Sequence, residues 1–227
     1  FDKHIFRAEH VGSFVRPERL IEAARSHRIG TLTADAFRDI QDQSIAEIVA
    51  FQDEIGMPSV TDGEFRRAVW SGGIINALDG MSVRDEGTLS FKSAKGEMFT
   101  PPSPFAKSKL ARKHTIVAED YSYLKSLEPK ALIKVTMASP SVMHFFLGDG
   151  SFDEDAYEDR DSYFADLASI YRDEIADLAS AGCSYVQLDD TALPCNCDAG
   201  ARDVVRARGD DPDELTEAYI SLINEAI

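Results

Sequence analysis

The chain reads as an α/β protein built on a parallel sheet. Three observations predict this: long amphipathic helical segments with legible caps, short apolar runs that end in polar residues, and the alternation of the two along the chain. Such a sheet can stay open or close into a barrel.

The elements follow in order. Strands are expected over residues 9–14, 59–64, 132–138 and 185–190, each running from apolar residues into Gly, Ser, Asp or Glu. Residues 34–55 place Phe37, Ile40, Ile45, Ile48 and Ile55 on one helical face, with Thr33 as N-cap and Gly56 as stop. Residues 161–181 repeat the pattern with Phe164, Leu167, Ala168, Tyr171, Ile175 and Leu178, and Gly182 ends that helix. A third helix is expected from Pro212, carrying Leu215, Ala218, Tyr219, Leu222 and Ile223. Between these, residues 78–116 alternate in character and hold three prolines, which predicts a β-hairpin or lid inserted in the helical layer. The acidic run FDEDAYEDRD at 152–161 reads as a solvated loop leading into a helix.

Composition narrows the function. The 227 residues, 44% hydrophobic and 28% charged, suit one domain, 1–227, that can bury a core. A net charge of -16 excludes nucleic acid and anionic membrane as partners, because the long-range field repels polyanions. No apolar run approaches the roughly 20 residues that span a bilayer, and FDKHIFRAEH is not expected to be a secretory signal. Three cysteines, Cys183, Cys195 and Cys197, are too few for a disulfide scaffold, and a reducing cytoplasm is expected.

In parallel α/β proteins, ligands bind at the carboxyl ends of strands. The four expected strand ends deliver His10, Gly12 and Ser13; Asp62, Gly63 and Glu64, followed by Arg66 and Arg67; Thr136, Ser139 and Ser141; and Gln187, Asp189 and Asp190. Any one of them could be only a turn former or helix cap, but together they predict a binding mouth. His10 reads as a structural histidine. Trp70 could stack on a flat ligand or simply pack. Cys195 and Cys197 could ligate a soft metal, yet two thiols are half a tetrahedral site, and His10 or His144 would have to complete it.

The segments RAEHVGSFVRP, VTDGEFRRAVW, KVTMASPS and YVQLDDTALP, in that order, resemble the cobalamin-independent methionine synthase family, and most closely its short bacterial branch, which is the catalytic barrel alone. The resemblance runs across nearly the whole chain. It implies a (β/α)8 TIM barrel of which this chain holds about the N-terminal half. It also implies transfer of a methyl group from a polyglutamylated methyltetrahydrofolate to the thiol of homocysteine or a related acceptor, with zinc on the thiol. Carried over by motif, Gly12 and Ser13 match the segment that holds the amino acid's carboxylate. Glu64 and Asp189 match the two acids that grip its ammonium group, and both are candidate catalytic carboxylates. Ser139 reaches the same site, and Trp70 is a candidate to stack on the pterin. The family's His-x-Cys, Glu and Cys zinc ligands have no counterpart in these residues. The chain is therefore expected to continue past Ile227, with the rest of the barrel coming from further residues or a partner chain. A non-catalytic binding half barrel, or a metal-free tetrapyrrole decarboxylase of the same barrel superfamily, are the alternative readings.

Overall fold

The computed structural model describes residues 9–92 and 95–227. Helix α1 (Glu18–Arg28) turns Leu20 and Ala23 inward. Its apolar face is thin, and the sequence pattern did not reveal it. In α2 (Ala34–Glu54) the Thr33 hydroxyl accepts the Ala36 N–H at 3.3 Å, and Gly56 leaves the helix at φ +74, as expected from the caps. Strand β1 (Ser59–Val60) is short, and α3 (Gly72–Ala77) leads into β2 (Leu78–Arg84). A small hairpin, β3 (Phe91–Lys92) and β4 (Met98–Phe99), precedes β5 (Ser103–Arg112). After it come α4 (Ala118–Ser126), β6 (Leu132–Ile133), β7 (Val135–Ala138) and α5 (Val142–Phe145). The chain closes with α6 (Arg160–Ala181), β8 (Val186–Asp189), α7 (Ala192–Cys195), α8 (Ala199–Ala207) and α9 (Pro212–Ala226).

β1 runs parallel to β6 in the register Ser59↔Leu132 and Val60↔Ile133. β7 pairs with β8, and the bonds Val135 N–H to Tyr185 O and Ser139 N–H to Asp189 O advance together along both strands, as in a parallel pair. The insertion expected over 78–116 is an antiparallel hairpin of β2 and β5, with Met81 opposite Ala106 and a register shift at Gly80.

One expected strand is absent. Residues 9–14 form no ladder, because side chains take their carbonyls: Lys134 Nζ donates to His10 O, Gln187 Nε2 to Val11 O and Thr61 Oγ1 to Gly12 O. These bonds satisfy the backbone without a neighbouring strand. The expected strand over 132–138 is also interrupted at Lys134, whose side chain is fully buried.

The chain divides into two compact units. The first draws on Phe1–Trp70, Val117–Thr136 and Leu178–Gln187; the second on Ser71–Ile116, Met137–Asp177 and Leu188–Ile227. In the first, Leu20, Ile45, Val49, Val60, Phe65 and Leu124 make the core. Burying each such side chain is worth about 1.5–3 kcal/mol. The second is held by aromatic rings. Tyr157, Tyr163 and Tyr219 are buried to 1% exposure or less, and the Tyr157 and Tyr163 centroids lie 5.1 Å apart. Tyr157 sits inside the acidic run 152–161, so that loop is not wholly solvated: its hydroxyl accepts the Leu110 N–H at 2.8 Å and donates to Asp166 at 2.8 Å. Among the described residues no helix is long and apolar enough to cross a membrane.

Candidate active site

In the first unit the polar residues after β1 form a tight turn. Glu64 has φ 60, a left-handed backbone that costs a residue with a Cβ, and it follows Gly63 at φ +67. Three bonds hold it there. Asp62 Oδ1 accepts the Glu64 N–H at 2.9 Å, and one Arg16 nitrogen donates to both Glu64 O (3.0 Å) and Arg67 O (2.8 Å). The Glu64 carboxylate is 3% exposed as a residue and accepts from Thr136 Oγ1 at 3.1 Å, while Arg67 lies 3.9 Å away.

Gly12 packs directly against this carboxylate. A Cβ there would stand 2.7 Å from Thr136 Cγ2 and 3.0 Å from Glu64 Oε1, so the backbone approaches more closely than any side chain would allow. Thr61 Oγ1 accepts the Gly63 N–H at 3.2 Å and donates to Gly12 O at 2.7 Å, joining the two segments. The structure therefore brings Gly12, Glu64, Thr136 and Arg67 together. Ser13 is exposed beside them, and Trp70 is half-buried in a turn farther along.

His10 donates or accepts through Nε2 at 3.0 Å from Gln52 Oε1, and the amide oxygen can only accept, so Nε2 carries the proton. Burial holds its pKa below the usual range. Its Nδ1 is buried without a hydrogen-bond partner among the described residues. The same unit holds an ion cluster: Arg66 donates to Asp42 and to Asp120 at 2.5 Å each, and its guanidinium lies 4.6 Å from the Tyr123 ring centroid. Burial, and then the nearby Asp62 charge, push the Asp120 carboxyl above its ordinary value.

In the second unit, Ser139 and Ser141 are fully buried. The Asp190 carboxylate accepts from Ser141 Oγ at 2.5 Å and from the Leu193 N–H at 2.8 Å, so the Ser141 hydroxyl is left to accept from Ser139 Oγ at 3.0 Å. Asp189 is half-buried at the end of β8, its carbonyl accepting the Ser139 N–H at 2.9 Å. Cys195 ends α7 and Cys197 is exposed, its thiol 3.4 Å from Leu193 O. Burial, with the Asp190 and Asp198 charges, raises the Cys195 thiol and disfavours the thiolate a metal needs. His144 has both ring nitrogens engaged, by Tyr219 Oη at 2.7 Å and Asp149 at 3.1 Å. Among the described residues no three His, Cys, Asp or Glu side chains are placed to share a metal ion.

Three contributors went unnoticed in the sequence. Lys134 interrupts the apolar run LIKVTMA, and a lysine there could have signalled a buried cation. Its Nζ reaches Gln187 at 3.1 Å and Glu9 at 3.4 Å. Gln52, on the inner face of α2, bonds both Thr61 N–H and Thr61 O. Asp120 carries no local signal at all.

Comparison with known proteins identifies the relatives of this chain. A family profile described as the catalytic domain of cobalamin-independent synthase matches residues 6–206. The uncharacterized Bacillus subtilis protein YxjH is 37% identical over 227 residues, covering 98% of this chain and 58% of YxjH. The methionine synthase of Pyrococcus abyssi is 25% identical over 188 residues, covering 81% of this chain and 51% of that protein. Among solved structures, the candidate vitamin-B12-independent methionine synthase of Listeria monocytogenes matches with a TM-score of 0.76 at 33% identity, over 98% of this chain and 61% of its own. A B12-independent methionine synthase from Shewanella, in complex with selenomethionine, shares the fold at a TM-score of 0.61 and 20% identity. The chain thus spans about half to three-fifths of the length of the proteins it matches.

Proposed function

The chain belongs to the cobalamin-independent synthase catalytic-domain family, with the α/β barrel fold of that family, and from that premise we propose that it carries the amino-acid-binding part of a thiol methyltransferase. The donor is a polyglutamylated methyltetrahydrofolate and the acceptor is homocysteine or a related thiol. The methyl C–N bond breaks as the C–S bond forms; the donor nitrogen takes up a proton and the thiol gives one up. The 227 residues act as one partial barrel domain, completed by further residues or a partner chain, in the cytoplasm.

The observation that carries this reading is the Glu64 turn. A buried carboxylate in a left-handed backbone, pressed against a bare glycine backbone, is costly unless something needs it there. An amino-acid ligand supplies that need. By motif, Glu64 and Asp189 correspond to the two acids that take its ammonium, and Gly12 and Ser13 to the N–H groups and hydroxyl that take its carboxylate. Trp70 offers a face to the pterin, and Ser139 supports the acceptor side. A carboxylic acid near the donor, Asp189 or Glu64, would supply the proton that makes the nitrogen a better leaving group. The zinc that the family implies would be held by ligands outside the described residues.

Glu64→Gln and Asp189→Asn test the reading. Each removes one charge partner of the ammonium and should weaken acceptor binding by about 2–5 kcal/mol. Calorimetric titration with homocysteine measures it, and unchanged affinity in both variants would sink the assignment.

A further inference from the structure

The first unit contains a cavity of about 580 Å3 whose wall holds Arg16, Arg25, Arg28, Arg66 and Arg67. That is a third of the chain's arginines on one cavity, in a protein of net charge -16. Among the described residues no acidic side chain lines it, and Phe37 and Phe65 provide an apolar floor. The volume suits a small organic ligand.

The arginines differ in how far they are neutralised. Arg66 is matched by Asp42 and Asp120. Arg16 donates only to the carbonyls of Glu64 and Arg67, which use its hydrogens but leave its charge. Arg67 donates to Thr136 O at 2.5 Å and lies 3.9 Å from the buried Glu64 carboxylate, which offsets its charge. Arg25 and Arg28, exposed on the last turns of α1, have no ion-pair or hydrogen-bond partner among the described residues. Their placement at a helix C-terminus is favoured by the dipole, which does not account for Arg16 on the same wall. A guanidinium presents a planar fork of donors that matches carboxylate and phosphate oxygens in pairs.

We propose that this cavity is an anion-binding site for a small organic ligand that carries two or more carboxylate or phosphate groups on an apolar body. The body lies on Phe37 and Phe65; Arg25 and Arg28 take one anionic group at the rim, and Arg16 takes the other deeper in. The site is separate from the amino-acid contacts assigned to Gly12 and Ser13, and its ligand does not depend on that assignment.

Titration calorimetry on the full chain tests it with two probes, benzene-1,3-dicarboxylate and inorganic pyrophosphate. Neither acceptor nor methyl donor is present, so the result is independent of the methyltransferase reading. Saturable binding of either probe at one site is expected, and the tighter probe identifies the carboxylate or the phosphate as the natural anion. Arg25→Ala and Arg28→Ala should each weaken it about tenfold, the loss of one charge-assisted bond. Both positions are exposed, and unchanged circular dichroism would show that the variants fold. Arg206→Ala, on an exposed helix of the second unit, should leave binding as it is. Absence of saturable binding for both probes, or an equal loss in Arg206→Ala, would overturn the proposal.

Discussion

The turn around Glu64 in the first unit and the rings around Tyr219 in the second are equally buried, yet they treat polar groups in opposite ways. Around Glu64 the groups are ionic and the backbone is strained: a left-handed glutamate, a glycine whose Cβ would stand 2.7 Å from Thr136, and arginines bonded to carbonyls. Around Tyr219 the helices are regular and burial keeps the tyrosine hydroxyls and the His144 ring neutral. The Tyr163, Tyr171 and Tyr219 hydroxyls are pushed well above their usual range, and His144 is pushed below its own. The contrast teaches where the molecule spends stability. The aromatic region supplies it, and the Glu64 region consumes some in holding charges and strain that a ligand would use.

The comparison breaks if the aromatic region proves dispensable. Phe145→Ala removes a fully buried ring that lies 6.2 Å from Tyr219, centroid to centroid, and should cost about 3–5 kcal/mol in denaturant unfolding. A loss below about 1 kcal/mol would show that the rings are not the mainstay.

Gly12→Ala should cost less, about 1–3 kcal/mol, because the new methyl must displace Thr136 or the Glu64 carboxylate. It should also weaken acceptor binding. Lost stability with intact acceptor affinity would separate the close packing from the proposed site.

The dependence on pH sharpens the contrast further. His144 is held neutral by burial, so as pH falls below the unfolded value of about 6.5 the unfolded chain takes up a proton that the folded one refuses. Stability should therefore decline from near that pH downward, and His144→Gln should flatten the decline. At the alkaline end the buried tyrosines keep their protons while unfolded ones lose them near pH 10, so stability should fall as pH rises past that point. Unfolding midpoints and tyrosinate absorbance across pH check both arms.

The smallest effect is expected from Asp62→Asn. The amide keeps the oxygen that accepts the Glu64 N–H and removes a charge beside Asp120, so stability should change by about 1 kcal/mol or less. Because burial is the larger cause, the Asp120 pKa should fall only part of the way to its ordinary value. Carboxyl titration followed by NMR reads it.

The helices were legible because their signals are local. Thr33 caps α2 three residues on, Asp211 accepts the Asp213 and Glu214 N–H groups at the start of α9, and Gly182 ends α6 at φ +93. The hairpin over 78–116 was legible from alternation and turn residues. Glu64 lies just past β1, whereas Gly12 lies in no strand and Thr136 lies inside β7, so their meeting rests on tertiary contacts such as Thr61 Oγ1 to Gly12 O. Residues 9–14 misled, since a short segment that runs into Gly12 and Ser13 says nothing about what will bond its carbonyls.

The sequence by itself determined the α/β class, the main helices, the family and the residues that could form a site. Only the tertiary structure decided that residues 9–14 would bond to side chains instead of a strand, that Glu64 would be left-handed and buried, and that five arginines would share one cavity. The physical reason is range. A cap or a hydrophobic stripe is settled within four residues, whereas Lys134 meets His10 O across 124 positions of the chain, and such a contact forms only after the whole unit has packed.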